Sequence, residues 1–485
     1  MKKVLIPAFA LLLLGGCNVL DKEPLTTIAP SNFFKSAQDA ETAITAVYDG
    51  LQRKGCYAEV LNLIGNMPSD DCTSDNADVR NLNVINWNSG TGQMYDAYRD
   101  AYVAINRANG VLKYVPGIDM PTTRRDQILA EAKFVRALCY FNLVRLYGGV
   151  PLRLTPTESG DPAVVNLTRA TAEDVYAQVI KDLSEAEAPI AVTNPTRATK
   201  GAVNALQARV YLTTRQWAEA KTAANKVLTS SNYQLMQSFN DLFPANNIQS
   251  ESIFEIQFSG STDGNTFHTL PDIILPQPPA TYSFQKFNLP TTNLLQTADT
   301  VNDQRWSYQG QVNAGRNHAS YVDAGRGTGN DRGPFVYKWR SNPNAFNSPD
   351  NSYLLRLADV KLMYAEAGNE LGGPTADVLT QLNDVRQRAG LSALTASSSD
   401  AANKQALRNE IEKQRRLELA FEGERWFDLL RYARHEQADP AADHTITALD
   451  IIQQKRGTRD VNYLVFPIPL DEVNTNTQLR QNPGY

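Results

Sequence analysis

Four cysteines and four histidines in 485 residues are too few for a disulfide-framed scaffold or a histidine-built zinc centre. His268, His318, His435 and His444 also lack metal-ligand spacing. Neither sign of charge dominates: 47 Lys plus Arg stand against 52 Asp plus Glu, a net charge of −5. That balance argues against a nucleic-acid binder, which needs a strongly basic surface to displace counterions. No nucleophile elbow is present. The glycines of Gly325-Arg326-Gly327 neither follow a strand nor open a helix, so they do not read as a phosphate loop. The chain also lacks an apolar run of the roughly 20 residues that a membrane-spanning helix needs.

What is present is ordinary globular material. Hydrophobic residues are 42%, charged residues 20% and aromatics 9%, ample for a large core. The length predicts two to three domains or one large repeat-built unit.

The N-terminus carries an address. A basic start, Met1-Lys2-Lys3, leads into an apolar run from Val4 to Leu14 that is too short to span a bilayer and fits a signal-peptide core. Gly15-Gly16-Cys17 follows. Small residues before a cysteine admit a lipoprotein signal peptidase, so residues 1–16 are read as signal peptide and Cys17 as the lipidated residue. Three acyl chains there exceed the two signals that stable anchoring needs. Residues 17–32 are polar and Pro-containing and read as a tether.

Helical periodicity begins after the tether. Ser36 with Asp39 predicts a capped start to a helix carrying Ala40, Ala43, Ile44, Val47 and Leu51 on one face. Further helices are predicted from Tyr95 to Leu112, over 123–147, and from Thr171 onward. Gly148-Gly149 and Pro151 stop the helix over 123–147. Residues 199–212 and 218–228 form a helix–turn–helix pair, and small residues such as Ala202, Ala205, Ala220 and Ala224 let the two approach closely, as in tetratricopeptide repeats. A second pair is predicted at 354–371 and 376–389, and one long helix at 404–432 with a bend at Gly423. Residues 252–258 alternate like a strand. Residues 259–353 show little periodicity, and the part from Tyr282 on is richer in aromatics than the chain as a whole. Ordered loops this long usually serve a function.

The densest charge cluster holds Arg415, Arg416, Glu418, Glu422, Glu424, Arg425, Asp428 and Arg431. Glu418 and Glu422 share a helix face and could act as an acid/base pair. The preferred reading is a structural ion-pair motif of Arg415, Glu418, Glu422, Arg425 and Asp428 around Trp426 and Phe427. Asp70, Asp71, Asp75 and Asp78 are read as a solvated acidic loop rather than a calcium loop, since the spacing is not that of a standard one. Cys56 and Cys72 flank it and are equally compatible with a disulfide or with free thiols. No metal and no cofactor are expected.

Several segments, in order, resemble the RagB/SusD family of nutrient-binding outer-membrane lipoproteins. They are Tyr98-Arg99, Ala130-Glu131-Ala132-Lys133-Phe134-Val135-Arg136-Ala137, Tyr147-Gly148-Gly149-Val150-Pro151, Ser252-Ile253-Phe254-Glu255 and Asp303 with Arg305. Arg356-Leu357-Ala358-Asp359-Val360, Tyr364-Ala365-Glu366-Ala367, the run from Glu418 to Asp428, Phe466-Pro467-Ile468-Pro469 and the terminal Gln481-Asn482-Pro483-Gly484-Tyr485 complete the set. One position departs from the pattern: Gln414 precedes Arg415 where the family usually has Glu. The resemblance covers almost the whole mature chain. It implies a mainly α fold, a tetratricopeptide-like helix-pair scaffold with long irregular loops and minor β. Residues 33–258 and 259–485 would form one compact body, with 259–353 as a loop-rich insertion. It also implies binding of an oligosaccharide, or in some members a peptide, at the cell surface, and delivery to a TonB-dependent SusC-like transporter.

Pyranose rings offer an apolar C–H face to an aromatic ring and hydroxyls to Asn, Asp, Arg or Gln. Two loop regions carry both kinds of residue, and the resemblance points to the same two. They supply Arg80, Trp87 and Asn88, then Tyr282, Phe284, Trp306, Tyr308 and Tyr321. The ligand-binding candidates are Trp87, Asn88, Arg80, Tyr282, Trp306 and Tyr308. A surface glycoside hydrolase remains the alternative from another class; no carboxylate pair stands in a recognisable catalytic context.

Overall fold

A computed structural model describes residues 33–74, 76–243, 249–260, 267–274, 287–299, 301–306, 338–339 and 346–485. Helices dominate it. Those of seven residues or more are α1 (Ala37–Asp49), α2 (Val60–Asn66), α3 (Gly92–Tyr114), α4 (Thr122–Tyr147), α5 (Ala172–Glu187), α6 (Lys200–Thr213) and α7 (Trp217–Leu228). The C-terminal part adds α8 (Leu357–Gly372), α9 (Ala376–Arg388), α10 (Lys404–Glu418), α11 (Arg425–Ala438) and α12 (Ala448–Arg456). Four short strands, β1 (Cys72–Thr73), β2 (Ser252–Ile256), β3 (Leu289–Pro290) and β4 (Ser352–Arg356), form two antiparallel ribbons, β1 with β3 and β2 with β4.

Local chemistry starts these helices. Ser36 and Asp39 form a full capping box on α1. Thr171 Oγ1 accepts from Asp174 N at 3.1 Å, and Thr199 Oγ1 from Ala202 N at 3.2 Å. From α3 to α9 each helix packs on the next in chain order. That is the geometry of stacked helix pairs, in which a pair buries its apolar face only against a neighbour. Gly368 on α8 shows how close the approach is: a Cβ there would lie 2.4 Å from Val378 Cγ2 of α9. α4 runs through the centre and is buried almost continuously from Ala130 to Tyr147. One large apolar core joins α1 to α7 with α11 and α12, and a smaller cluster lies between α8, α9 and α10.

Two boundaries differ from the sequence reading. Residues 354–356, read as the start of a helix, belong to β4 against β2, and α8 begins at Leu357. The single helix expected over 404–432 is broken into α10 and α11. Phe421 and Gly423 both take left-handed conformations, with φ of 67° and 85°. The freed Phe421 carbonyl accepts from Asn62 and Asn66 of α2 at 2.9 and 3.1 Å, and Gly423 N donates back to Asn66 Oδ1 at 3.2 Å. A tertiary hydrogen-bond exchange therefore replaces the helix ladder at this bend.

Candidate ligand-binding face

The two loop regions chosen from the sequence meet in the β1–β3 ribbon, Cys72 opposite Pro290 and Thr73 opposite Leu289. A ribbon with two residues per strand does not stand alone in water. Here its base is welded to the helical body by buried charge. Asp70 accepts from Arg425 Nε and Nη2 at 2.8 and 2.9 Å, and Asp71 accepts from Arg416 Nε at 2.6 Å. Arg416 also donates to Asn293 Oδ1 at 2.7 Å and Thr297 Oγ1 at 3.2 Å on the segment that follows β3. Thr291 closes the joint, its N–H to Asp71 O and its hydroxyl to Asp70 O. Burial alone would raise the Asp70 carboxyl, but the guanidinium groups of Arg425 and Arg416 outweigh it and hold the group at about 2. Burial brings the Lys455 ammonium down to about 8, where it donates to Ser69 O at 2.8 Å just ahead of β1.

Above this base, residues 76–90 form a polar arch. Asn76 Oδ1 accepts from Asp78 N at 2.9 Å, Gln93 Nε2 donates to Asp78 O at 2.8 Å, and Asn83 Nδ2 donates to Ser74 O at 3.2 Å. Arg456 of α12 donates to Ile85 O and Asn86 Oδ1 at 2.6 and 3.0 Å, with its guanidinium 4.2 Å from the centre of the Tyr463 ring. Leu470 N donates to Ser89 O at 2.8 Å. Exposed along the arch stand Arg80, Asn81, Asn86 and Asn88. Arg80 forms no ion pair with a described residue, so its five N–H donors face solvent. A preformed row of guanidinium and amide groups suits a ligand with many hydroxyls.

Of the six ligand candidates, Arg80 and Asn88 lie on this arch. Asn88 also shapes it, its Oδ1 accepting from Gly90 N at 2.9 Å. Two are corrected. Trp87 is 3% exposed, packs edge-on against Trp426 and Phe466, and donates its indole N–H to Tyr485 Oη at 2.7 Å. Trp306 is 1% exposed and donates to Leu417 O at 3.3 Å. Neither presents a ring face to a ligand; both indoles find internal acceptors and belong to the core. Tyr282 and Tyr308 lie outside the described residues, as do Phe284 and Tyr321.

The disulfide alternative is also corrected. Cys56 and Cys72 are free, buried thiols, and burial pushes both well up from the ordinary thiol range. The acidic loop is not uniformly solvated: Asp70 and Asp71 are buried under the ribbon, and Asp78 is exposed.

The charge cluster lies in and around the α10–α11 bend. Glu418 is enclosed by Arg305, Arg356 and Arg388, with Arg305 Nη1 at 3.0 Å. Glu422 pairs with Arg356 at 2.8 Å and Lys338 at 2.6 Å. Arg415 joins Asp359 at 2.7 Å to Asp428 at 3.2 Å. The side chains of Glu418 and Glu422 are 0% and 5% exposed, and despite their burial the surrounding cations hold both below the usual carboxylate range. Carboxylates sealed and ionised in this way have no proton to donate and no route to a substrate. Gln414 binds away from Arg415, accepting from Arg305 at 2.8 Å and donating to Glu410 at 2.8 Å.

Sequence reasoning passed over Asn293, Thr297, Arg456 and Tyr463. No local pattern marks them. Arg456 meets the arch across 371 residues of chain, and Asn293 is held by Arg416 from 123 residues away.

A stack of helix pairs carrying a welded polar loop face defines a mainly helical, repeat-like scaffold. The chain belongs to the SusD family: that family's model matches residues 213–485, and a second, described as starch-binding associating with outer membrane, matches 19–212. Among curated relatives, SusD-like protein P25 of Formosa agariphila is 26% identical over 100% of this chain and 99% of its own. Starch-binding protein SusD of Bacteroides thetaiotaomicron is 24% identical over 89% of this chain and 86% of its own. Among solved structures, a laminarin binding SusD-like protein superposes with a TM-score of 0.75 at 27% identity, covering 93% of this chain and all of that one. Surface glycan-binding protein A from Bacteroides uniformis shares the fold, with a TM-score of 0.76 at 21% identity over 92% of this chain and 99% of its own.

Proposed function

We propose that this chain is a lipid-anchored, non-catalytic protein of the outer cell surface that binds an oligosaccharide and delivers it to a TonB-dependent, SusC-like transporter. The observation that carries the reading is the polar arch, fixed by Asp70–Arg425 and Asp71–Arg416, in a chain of the SusD family whose solved relatives include a laminarin binder. A rigid base favours this role, because a ligand then meets donors that are already placed and little ordering entropy is lost on binding. Glu418 and Glu422, the carboxylate pair with helical spacing, are locked into ion pairs, which removes the acid/base pair most visible in the sequence. The N-terminal pattern supports anchoring at Cys17, and family membership supports delivery to a transporter; no described helix is long and apolar enough to cross a membrane.

The test is calorimetric titration of the mature protein with a panel of oligosaccharides that includes laminarin fragments, with product analysis of the same mixtures. Saturable binding without cleavage supports the reading. Peptide binding in place of glycan binding, or release of product at a catalytic rate, replaces it.

A further inference from the structure

Next to the joint under the ribbon, a cleft of about 600 Å³ opens between α10, the 293–297 segment and residues 445–446. It shares Asp70, Arg416 and Arg425 with that joint, while Asn409, Lys413 and residues 445–446 belong to the cleft alone. Its walls contain Asp70, Asp400, Glu410, Glu412, Lys413, Arg416 and Arg425, and much of that charge is already matched. Asp70 pairs with Arg425, Arg416 with Asp71 and Glu410 with Arg386, while the buried Glu412 lies 2.6 Å from His444 Nδ1 and accepts from Thr445 N at 3.2 Å. What stays available is the exposed Asp400 carboxylate, with no ion-pair partner among the described residues, and a set of neutral or singly charged donors. Asn293 spends its carbonyl oxygen on Arg416, which leaves its amide N–H groups without a described partner. Asn409 accepts through Oδ1 from Gln405 Nε2 at 2.9 Å and from the Thr445 hydroxyl at 3.4 Å, so its amide N–H groups are likewise unspent. The exposed Lys413 ammonium has no ion-pair partner among the described residues. Ile446 and Ala406 add an apolar patch to the same lining.

A cleft of this volume lies within the range of small-molecule sites. Its unspent groups sit beside charges that are neutralised within the wall. Such a lining disfavours a strongly charged ligand, which would meet both signs at once. It favours a neutral polyhydroxylated one, whose hydroxyls accept from amide and ammonium donors while its C–H surface covers the apolar patch.

We infer that this cleft is a second carbohydrate subsite, taking a neutral sugar unit through Asn293, Asn409 and Lys413. It deepens the binding role proposed above and rests on it. The 293–297 segment continues from β3, so the face beside the arch and the cleft share one structural support, and a glycan chain held at the first has a docking point at the second.

The experiment is hydrogen-exchange mass spectrometry of the mature protein with and without the oligosaccharide selected by the panel, on wild type and on Asn409→Ala with Lys413→Ala. Both altered side chains are exposed, so folding is not at stake. The expected result is protection in two places, at 72–90 and at 404–413 with 445–446. In the double variant the second protection disappears and affinity for chains long enough to reach both places falls about tenfold, the worth of one to two hydrogen bonds. Protection confined to 72–90, identical in both proteins, overturns the second subsite and leaves the binding role standing. No panel ligand and no protection anywhere overturns both.

Discussion

Single residues decide more here than their exposure implies. Arg425 is 5% exposed and gives Asp70 both of its charge-assisted hydrogen bonds at the foot of the ribbon. Removing one partner of a buried pair costs up to about 3–5 kcal/mol, the lower end applying here because Arg416 Nη2 remains 3.0 Å from Asp70 Oδ2. Arg425→Ala should therefore lower stability by that order in urea denaturation. Unaltered unfolding together with lost ligand binding would show that the arginine serves the ligand and not the frame. Arg80 is the opposite case, exposed and with no ion-pair partner among the described residues. Arg80→Ala should weaken glycan affinity about tenfold with no change in Tm, and an unchanged titration would remove it from the site.

Titration follows the same residues. Burial pulls His268 down to about 3 and His435 down to about 4, the latter also through neighbouring His444. In the unfolded chain such imidazoles bind protons near pH 6.5 that the folded protein refuses, so stability falls as pH drops from about 6.5 toward 4. Asp70 behaves as a carboxylate with a depressed folded value: its contribution is complete above about pH 4 and is lost as pH falls toward 2. Denaturant melts between pH 7 and 3 should show a decline that begins near 6.5 and steepens below 4. A flat profile down to pH 4 would mean that the two histidines are not held neutral. The misjudged tryptophans belong to this scale as well. Trp87 stands among Asn86, Asn88 and Ser89 and so resembles a ligand platform. Its acceptor is Tyr485, 398 residues away, and no local pattern could reveal that.

At the scale of elements, local chemistry was legible wherever it decided the outcome. The Ser36–Asp39 capping box, the Gly148 stop and the alternation read over 252–258 all depend on neighbours in sequence; the box and the stop mark helix ends, and the alternation appears as the shorter β2 at 252–256. The α10–α11 break was legible only as a bend at Gly423, because its partners Asn62 and Asn66 come from α2. That contact leaves no slack. A Cβ on Gly65 would lie 1.9 Å from Gly423 O, and one on Gly423 would lie 3.2 Å from Asn62 Cα with φ at +85°. Gly65→Ala should force α2 off the bend and cost about 1–3 kcal/mol as an overpacked contact, read by chemical denaturation. Gly423→Ala should cost about 1–2 kcal/mol through backbone strain. If both variants unfolded with the wild type, the contact between α2 and the bend would not be structural.

For the molecule as a whole, the helix-pair architecture was readable because stacked pairs repeat a short-range pattern of small and apolar residues. The candidate face was readable only as two regions. What joins them, β1 with β3 above the Asp70 and Asp71 ion pairs, depends on residues far apart in the chain that come together only when the helices stack. The central claim is that the joined face binds glycan and leaves it intact. Calorimetry of the mature protein against the oligosaccharide panel, with each mixture then analysed for reducing ends, tests that claim directly. The account predicts a saturable isotherm for at least one neutral glycan and no new reducing ends. A flat isotherm across the whole panel, or sugar fragments accumulating with time, would contradict it.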